Sequence, residues 1–165
     1  MTIKTKDIVA KAISIGMAAM MTGSMVTPTF AASYKWPLGS YRGQIVGKFG
    51  EHGHMGTDIS GYRIDRRKIY SVTSGKVISA GFAGGYGRYV RVKNNDGKIV
   101  TYAHMSKMVT AKGRKVKRGT YIGRVGMTGN ASAPHLHIDM KKKKGKGKKA
   151  KYVCVNPMKY LKQPR

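Results

Sequence analysis

The sequence predicts an all-β domain, and three observations carry that prediction. Between residues 68 and 139, apolar and polar residues alternate in runs of five to seven, the period of a strand with one buried face. The corners between those runs are Ser74-Gly75, Asn94-Asn95-Asp96-Gly97 and Lys117-Arg118-Gly119, residue types that tolerate the backbone angles of tight turns. No part of this region keeps apolar residues at helical spacing over a useful length. Many short strands joined by glycine-rich corners make an antiparallel β-domain.

The first 31 residues stand apart from that pattern. Lys4, Lys6 and Lys11 face a single acid, Asp7, and an apolar run follows from about Ala12 to Val26. The run ends in Pro28-Thr29-Phe30-Ala31-Ala32, so cleavage after Ala31 would set Thr29 and Ala31 at the −3 and −1 positions. A basic start, an apolar middle of roughly 15 residues and a small-residue exit are the parts of a secretory signal. The run is shorter than the ~20 residues that a membrane span needs. Residues 1–31 are therefore expected to be a signal peptide, 32–47 a segment leading into the domain, and 48–165 the domain itself. The expected location is extracellular and wall-associated.

Strands are expected in order at Lys68–Val72, Lys76–Ala80, Arg88–Lys93, Lys98–His104 and Thr120–Val125. The third and fourth form a hairpin about the Asn94–Gly97 turn, the clearest local signal in the chain. A last strand holds Ala133-Pro134-His135-Leu136-His137-Ile138-Asp139. Residues i and i+2 of a strand share a face, so His135 and His137 project together. Two convergent imidazoles are half of a metal or acid/base site. Residues 141–151, with eight lysines in eleven positions, are expected to bulge out as a solvated loop.

Charge limits the partners. The chain carries a formal +27, and loss of residues 1–31, with three lysines and Asp7, would lower this to +25. Such a surplus attracts polyanions. Outside a cell the candidates are anionic wall polymers and membrane surfaces, with nucleic acid less available; wall polymers are expected to be held by Lys141–Lys151, no specific nucleic-acid partner is expected, and the domain is expected to be monomeric. Cys154 is the only cysteine, so an internal disulfide is impossible, and its apolar setting in Tyr152-Val153-Cys154-Val155 suggests a buried, inert thiol.

A second half-site lies upstream. In Gly53-His54-Met55-Gly56-Thr57-Asp58 an imidazole and a carboxylate stand four apart, an even spacing that keeps both on one side of an extended segment. Nitrogen and oxygen donors of this kind are ordinary zinc ligands.

Taken together, His54 and Asp58, then Tyr102-Ala103-His104, then Pro134-His135-Leu136-His137 resemble in order and spacing the lysostaphin-type peptidoglycan metalloendopeptidases. The resemblance runs from about Phe49 to Leu161 and includes Gly126-Met127-Thr128-Gly129-Asn130 and Val155-Asn156-Pro157. It implies compact antiparallel sheets with a substrate groove, a fold like a duplicated hybrid motif. It also implies that His54, Asp58 and His137 ligate one Zn²⁺ per chain, with His104 and His135 as the unmetallated catalytic pair. Three protein ligands leave one coordination position for water, the arrangement of a catalytic zinc. The implied activity is hydrolysis of peptide bonds in peptidoglycan cross-links. A wall-binding or hydrolase-regulating module without turnover is the alternative, and such a module would be expected to lack part of the five-residue set. The sequence departs from the family in the short Gly47-Lys48-Phe49-Gly50-Glu51-His52-Gly53 approach, which lacks arginine, and in Asp139, where glutamate is frequent. His52 has no assigned role.

Overall fold

The computed structural model describes residues 34–165; the expected signal peptide and its cleavage site lie outside them. Ten strands are present among the described residues. They are β1 Gln44–Gly47, β2 Gly56–Ser60, β3 Lys68–Tyr70, β4 Gly75–Ala83, β5 Gly87–Asn94, β6 Ile99–Met108, β7 Lys115–Val116, β8 Tyr121–Val125, β9 Leu136–Lys144 and β10 Lys151–Val155. Every pairing is antiparallel, and the all-β prediction holds. The main sheet runs β1-β2-β9-β6-β5-β4-β7, with β10 on β9 and with β8 joining β3 to β6.

The branch point is β6. Its first half lies between β5 and β9, and from Met105 its last residues pair with β8, with an irregularity between Met105 and Lys107. That switch folds the β3–β8 pair back over the inner face of the sheet. Val77, Val90, Val92, Val100, Leu136, Ile138 and Met140 pack there against Ile69, Val72, Ile122 and Val125, all fully buried. Tyr102 is buried among them, and its hydroxyl accepts from the Val72 N–H at 2.8 Å. The outer face carries the site.

Two boundaries differ from the sequence reading. The fold takes in residues expected only to lead into it, because Trp36 and Leu38 are buried in the core. The Lys35 N–H donates to the Val72 carbonyl, the Tyr70 N–H to the Pro37 carbonyl, and β1 pairs β2. Five of the eight lysines of the expected loop lie in strands. Lys141 to Lys144 continue β9 opposite Cys154, Val153, Tyr152 and Lys151, leaving only residues 145–150 as the turn. An exposed strand pair satisfies the backbone while lysine heads stay in water, so charge does not prevent pairing. Cys154 is free and half-buried, more open than expected.

Candidate metal and catalytic site

Register builds the centre. β2 pairs β9 with Asp58 directly opposite His137, which brings their side chains to within reach of one ion. The His137 Nδ1 lies 2.8 Å from Asp58 Oδ1. His54 leaves the short 3₁₀ turn Glu51–Gly53, and its Nε2 lies 3.1 Å from His137 Nδ1 and 3.3 Å from Asp58 Oδ1. One donor atom from each residue falls within 4.8 Å of the others.

The outward hydrogen bonds say which nitrogen is free. His54 Nδ1 lies 3.2 Å from the Lys48 carbonyl, an acceptor only, so Nδ1 carries the proton and Nε2 presents its lone pair. The Asp58 oxygen is also an acceptor. Burial pushes the Asp58 carboxyl up, but the hydrogen bond and charge of His137, with the charges of His54 and His135, outweigh it and hold the group below its ordinary range. A single proton between His137 and Asp58 can relieve this cluster in the absence of a cation, and a cation can replace that proton. The donor set fits zinc: two imidazoles and one carboxylate.

Two glycines shape the cradle. A Cβ at Gly56 would meet His137 Cε1 at 2.5 Å and Nε2 at 2.7 Å, and one at Gly47 would meet Asp58 Oδ2 at 2.6 Å. Any side chain at either position would occupy the space of a proposed ligand.

His104 and His135 flank this cluster. His104 sits where β6 changes partner, with a left-handed backbone of φ 57 held by its N–H bond to the Tyr86 carbonyl at 2.8 Å. Its Nδ1 donates to the Thr128 carbonyl at 2.8 Å. Burial lowers its pKa, against the opposing pull of that bond and with help from the charges of His135 and His137. His135 donates from Nδ1 to the Ala133 carbonyl at 2.8 Å, and its Nε2 stands 3.9 Å from Asp58 Oδ1. It lies just outside β9, held by a single bridge to Gly126, so the histidine strand begins later than the sequence suggests. The ring centres of His104 and His135 are 4.5 Å apart, and those of His104 and His137 5.8 Å. All five residues singled out from sequence therefore meet in one place. His52 is exposed and takes no part.

Sequence reasoning missed the support behind His137. Asp139 is fully buried. Its Oδ2 accepts from the Tyr86 hydroxyl at 2.8 Å and lies 4.0 Å from His137 Nε2, while Oδ1 has no partner. Burial, then the charge and hydrogen bond of Asp139, pushes the Tyr86 phenol up to about 12. The i, i+2 spacing of His137 and Asp139 placed them on one face; nothing in the sequence pointed to Tyr86.

Residues 52–151 match the model of peptidase family M23. The cell division protein DipM of Caulobacter vibrioides is 32% identical over 84% of this chain and 23% of its own length. The peptidoglycan DD-endopeptidase ShyA of Vibrio cholerae is 35% identical over 44% of this chain and 17% of its own. The chain thus spans a quarter or less of either relative. A zinc-containing peptidase from Vibrio cholerae superposes with a TM-score of 0.57 at 31% identity, over 66% of this chain and 36% of that one. The antimicrobial peptidase lysostaphin from Staphylococcus simulans does so at 0.58 and 27%, over 79% and 49%. The match over residues 52–151 and the likeness of the fold to lysostaphin place the chain in peptidase family M23, the lysostaphin-type peptidases.

Proposed function

We propose that this chain is a secreted, wall-associated, zinc-dependent endopeptidase that hydrolyses peptide bonds in the cross-links of bacterial peptidoglycan. The observation that carries the reading is the convergence of His54 Nε2, Asp58 Oδ1 and His137 Nδ1 within 4.8 Å, flanked by two imidazoles with their Nδ1 protons already engaged. His54, Asp58 and His137 would hold the zinc. When bound, zinc supplies a Lewis acid that activates water and polarises the scissile carbonyl.

The chain's own residues supply the rest. Backbone carbonyls fix the His104 and His135 protons on Nδ1, which leaves each Nε2 to exchange a proton with a reacting group. Burial favours the neutral form of His104, so in this reading His104 accepts the proton from the attacking water and returns it to the leaving amine. His135 sits closer to the Asp58 rim, and in its protonated form donates to the developing oxyanion. Tyr86 holds the Asp139 carboxylate 4.0 Å from His137 Nε2, where the negative charge favours a proton on that nitrogen and leaves Nδ1 for the metal.

The test joins zinc analysis of the purified chain to a peptidoglycan digestion assay. One zinc per chain, activity abolished by a chelator and restored by zinc are expected. Undiminished digestion after proven metal removal refutes the reading. One bound zinc with no digestion would instead favour the wall-binding alternative.

A further inference from the structure

The outer face of the sheet continues beyond the site in rows set by register. Asp58, His137 and Ala103 form one row. Two residues along, Gly56, Asp139, Thr101, Arg91 and Ser79 form the next. The third row is Lys141, Ile99, Lys93, Lys76 and Lys115, each the Cα partner of its neighbour. It crosses five strands, β9, β6, β5, β4 and β7, over about 19 Å at the usual strand spacing, and lies about 14 Å along the strands from His137. Residues paired in this way share a face.

This row is costly to the fold as it stands. Lys93 faces Lys76, and Lys76 faces Lys115, and like charges directly opposite one another destabilise a sheet. Among the described residues no carboxylate comes within ion-pair distance of any of the four lysines. Asp96, in the turn between β5 and β6, is taken by Lys98 at 2.6 Å. Lys76, Lys93 and Lys115 are exposed and Lys141 half-exposed. The backbone beneath is fixed by the ladder, so the four lysines, with Ile99 among them, spring from one transverse line on a paired support. The lysine-rich turn at residues 145–150 has no such support.

We propose that this transverse lysine row is a docking track for a linear phosphodiester polymer of the cell wall. A chain bearing one negative charge per repeat can set successive phosphates against successive lysines and relieve their mutual repulsion. A flat anionic membrane is a poorer match, because the row lacks the apolar face that would insert. Single-stranded nucleic acid is poorer too, since the row holds only lysines and Ile99 and so offers no ring on which bases stack. The proposal narrows the expectation of polymer binding from the lysine run to the sheet face. It does not rest on turnover, because binding is measured without hydrolysis.

The experiment compares two triple variants of the full chain with the same loss of charge, Lys76→Ser/Lys93→Ser/Lys115→Ser in the row and Lys146→Ser/Lys148→Ser/Lys149→Ser in the turn. Binding of synthetic poly(glycerol phosphate) is titrated across salt concentrations. The row variant is expected to bind more than tenfold more weakly at low salt, and its log-affinity against log-salt slope to be shallower by about 2, as for three lost contacts. The turn variant should lose less than threefold. Lys76→Arg/Lys93→Arg/Lys115→Arg should retain binding, and the serine row variant should unfold no earlier than the parent on heating. Equal losses in the two serine variants, or no loss in the row variant, overturn the proposal. So does tighter binding of an oligonucleotide of equal phosphate number or of anionic phospholipid vesicles.

Discussion

Gly56→Ala is the most economical probe of the centre, because it adds one methyl group and removes nothing. The new Cβ would stand 2.5 Å from His137 Cε1, and an ordinary contact begins at 3.4 Å, so the imidazole must retreat by about 0.9 Å. The other neighbour, the Ile138 carbonyl at 2.8 Å, belongs to a strand held on both sides by β2 and β6 and cannot share the movement. The ring therefore turns, and Nδ1 leaves its position 2.8 Å from Asp58 Oδ1. Disturbance of a ligand's support typically weakens metal binding by 10–100-fold, or about 1.4–2.7 kcal/mol. Zinc affinity, read by competition with a chromophoric chelator, should fall within that range, and kcat/KM on a soluble peptidoglycan fragment should fall at least as far. Overpacking adds about 1–3 kcal/mol of destabilisation, so thermal unfolding is followed in parallel. A folded Gly56→Ala chain with parental zinc affinity would refute the idea that this glycine sets the His137 ring.

Four further outcomes are expected. His104→Ala and His135→Ala should keep zinc near one per chain while turnover falls by ~10² or more; His137→Ala should lose the metal, and the reverse result for His135 and His137 would exchange their roles. Asp139→Asn and Tyr86→Phe should each lower zinc affinity by about tenfold in chelator competition, and unchanged affinity in both would remove them from the support of His137. Tyr102→Phe should cost about 1–3 kcal/mol in urea unfolding, because the Val72 N–H is left buried without its partner. The folded pKa of His104 lies below its ordinary value through burial, so in the metal-free chain its contribution is lost as pH falls below about 6.5, where the unfolded imidazole binds a proton that the folded one resists. Unfolding titrations at pH 5 and pH 7 should show a smaller difference for His104→Gln than for the parent.

What was legible in the sequence was local or carried by a spaced motif. The hairpin of β5 and β6 was visible because Val90, Val92, Val100 and Tyr102 alternate with polar residues about the Asn94–Gly97 turn, and all four are buried. The five candidate residues could be singled out because histidines are few and each stands in a recognisable setting. Contacts made between distant segments were not. Trp36 and Leu38 carry no periodicity, and their place in the core is decided by β3 and the segment that follows it. Lys141 to Lys144 gave no strand signal, since a run of one residue type has no alternation to read; cross-strand partners make the strand. Tyr86 and Asp139 lie 53 residues apart, and only the fold brings phenol and carboxylate together. The left-handed backbone of His104 belongs to the partner change in β6, which no residue type announces.

The pairing of β2 with β9 has a consequence for the order in which the molecule comes into being. Asp58 and His137 are 79 residues apart, and the six strands between them belong to the intervening chain. A nascent or half-folded chain can present His54 and Asp58 together, but it has no third donor until the ninth strand has found the second. Such long-range closures are slow to form and are lost together when the sheet opens. On the proposed ligand set, tight metal binding would thus be a late event in folding. The appearance of a three-ligand zinc signal during refolding would serve as a clock for completion of the sheet, and a chain truncated before Leu136 should never give it.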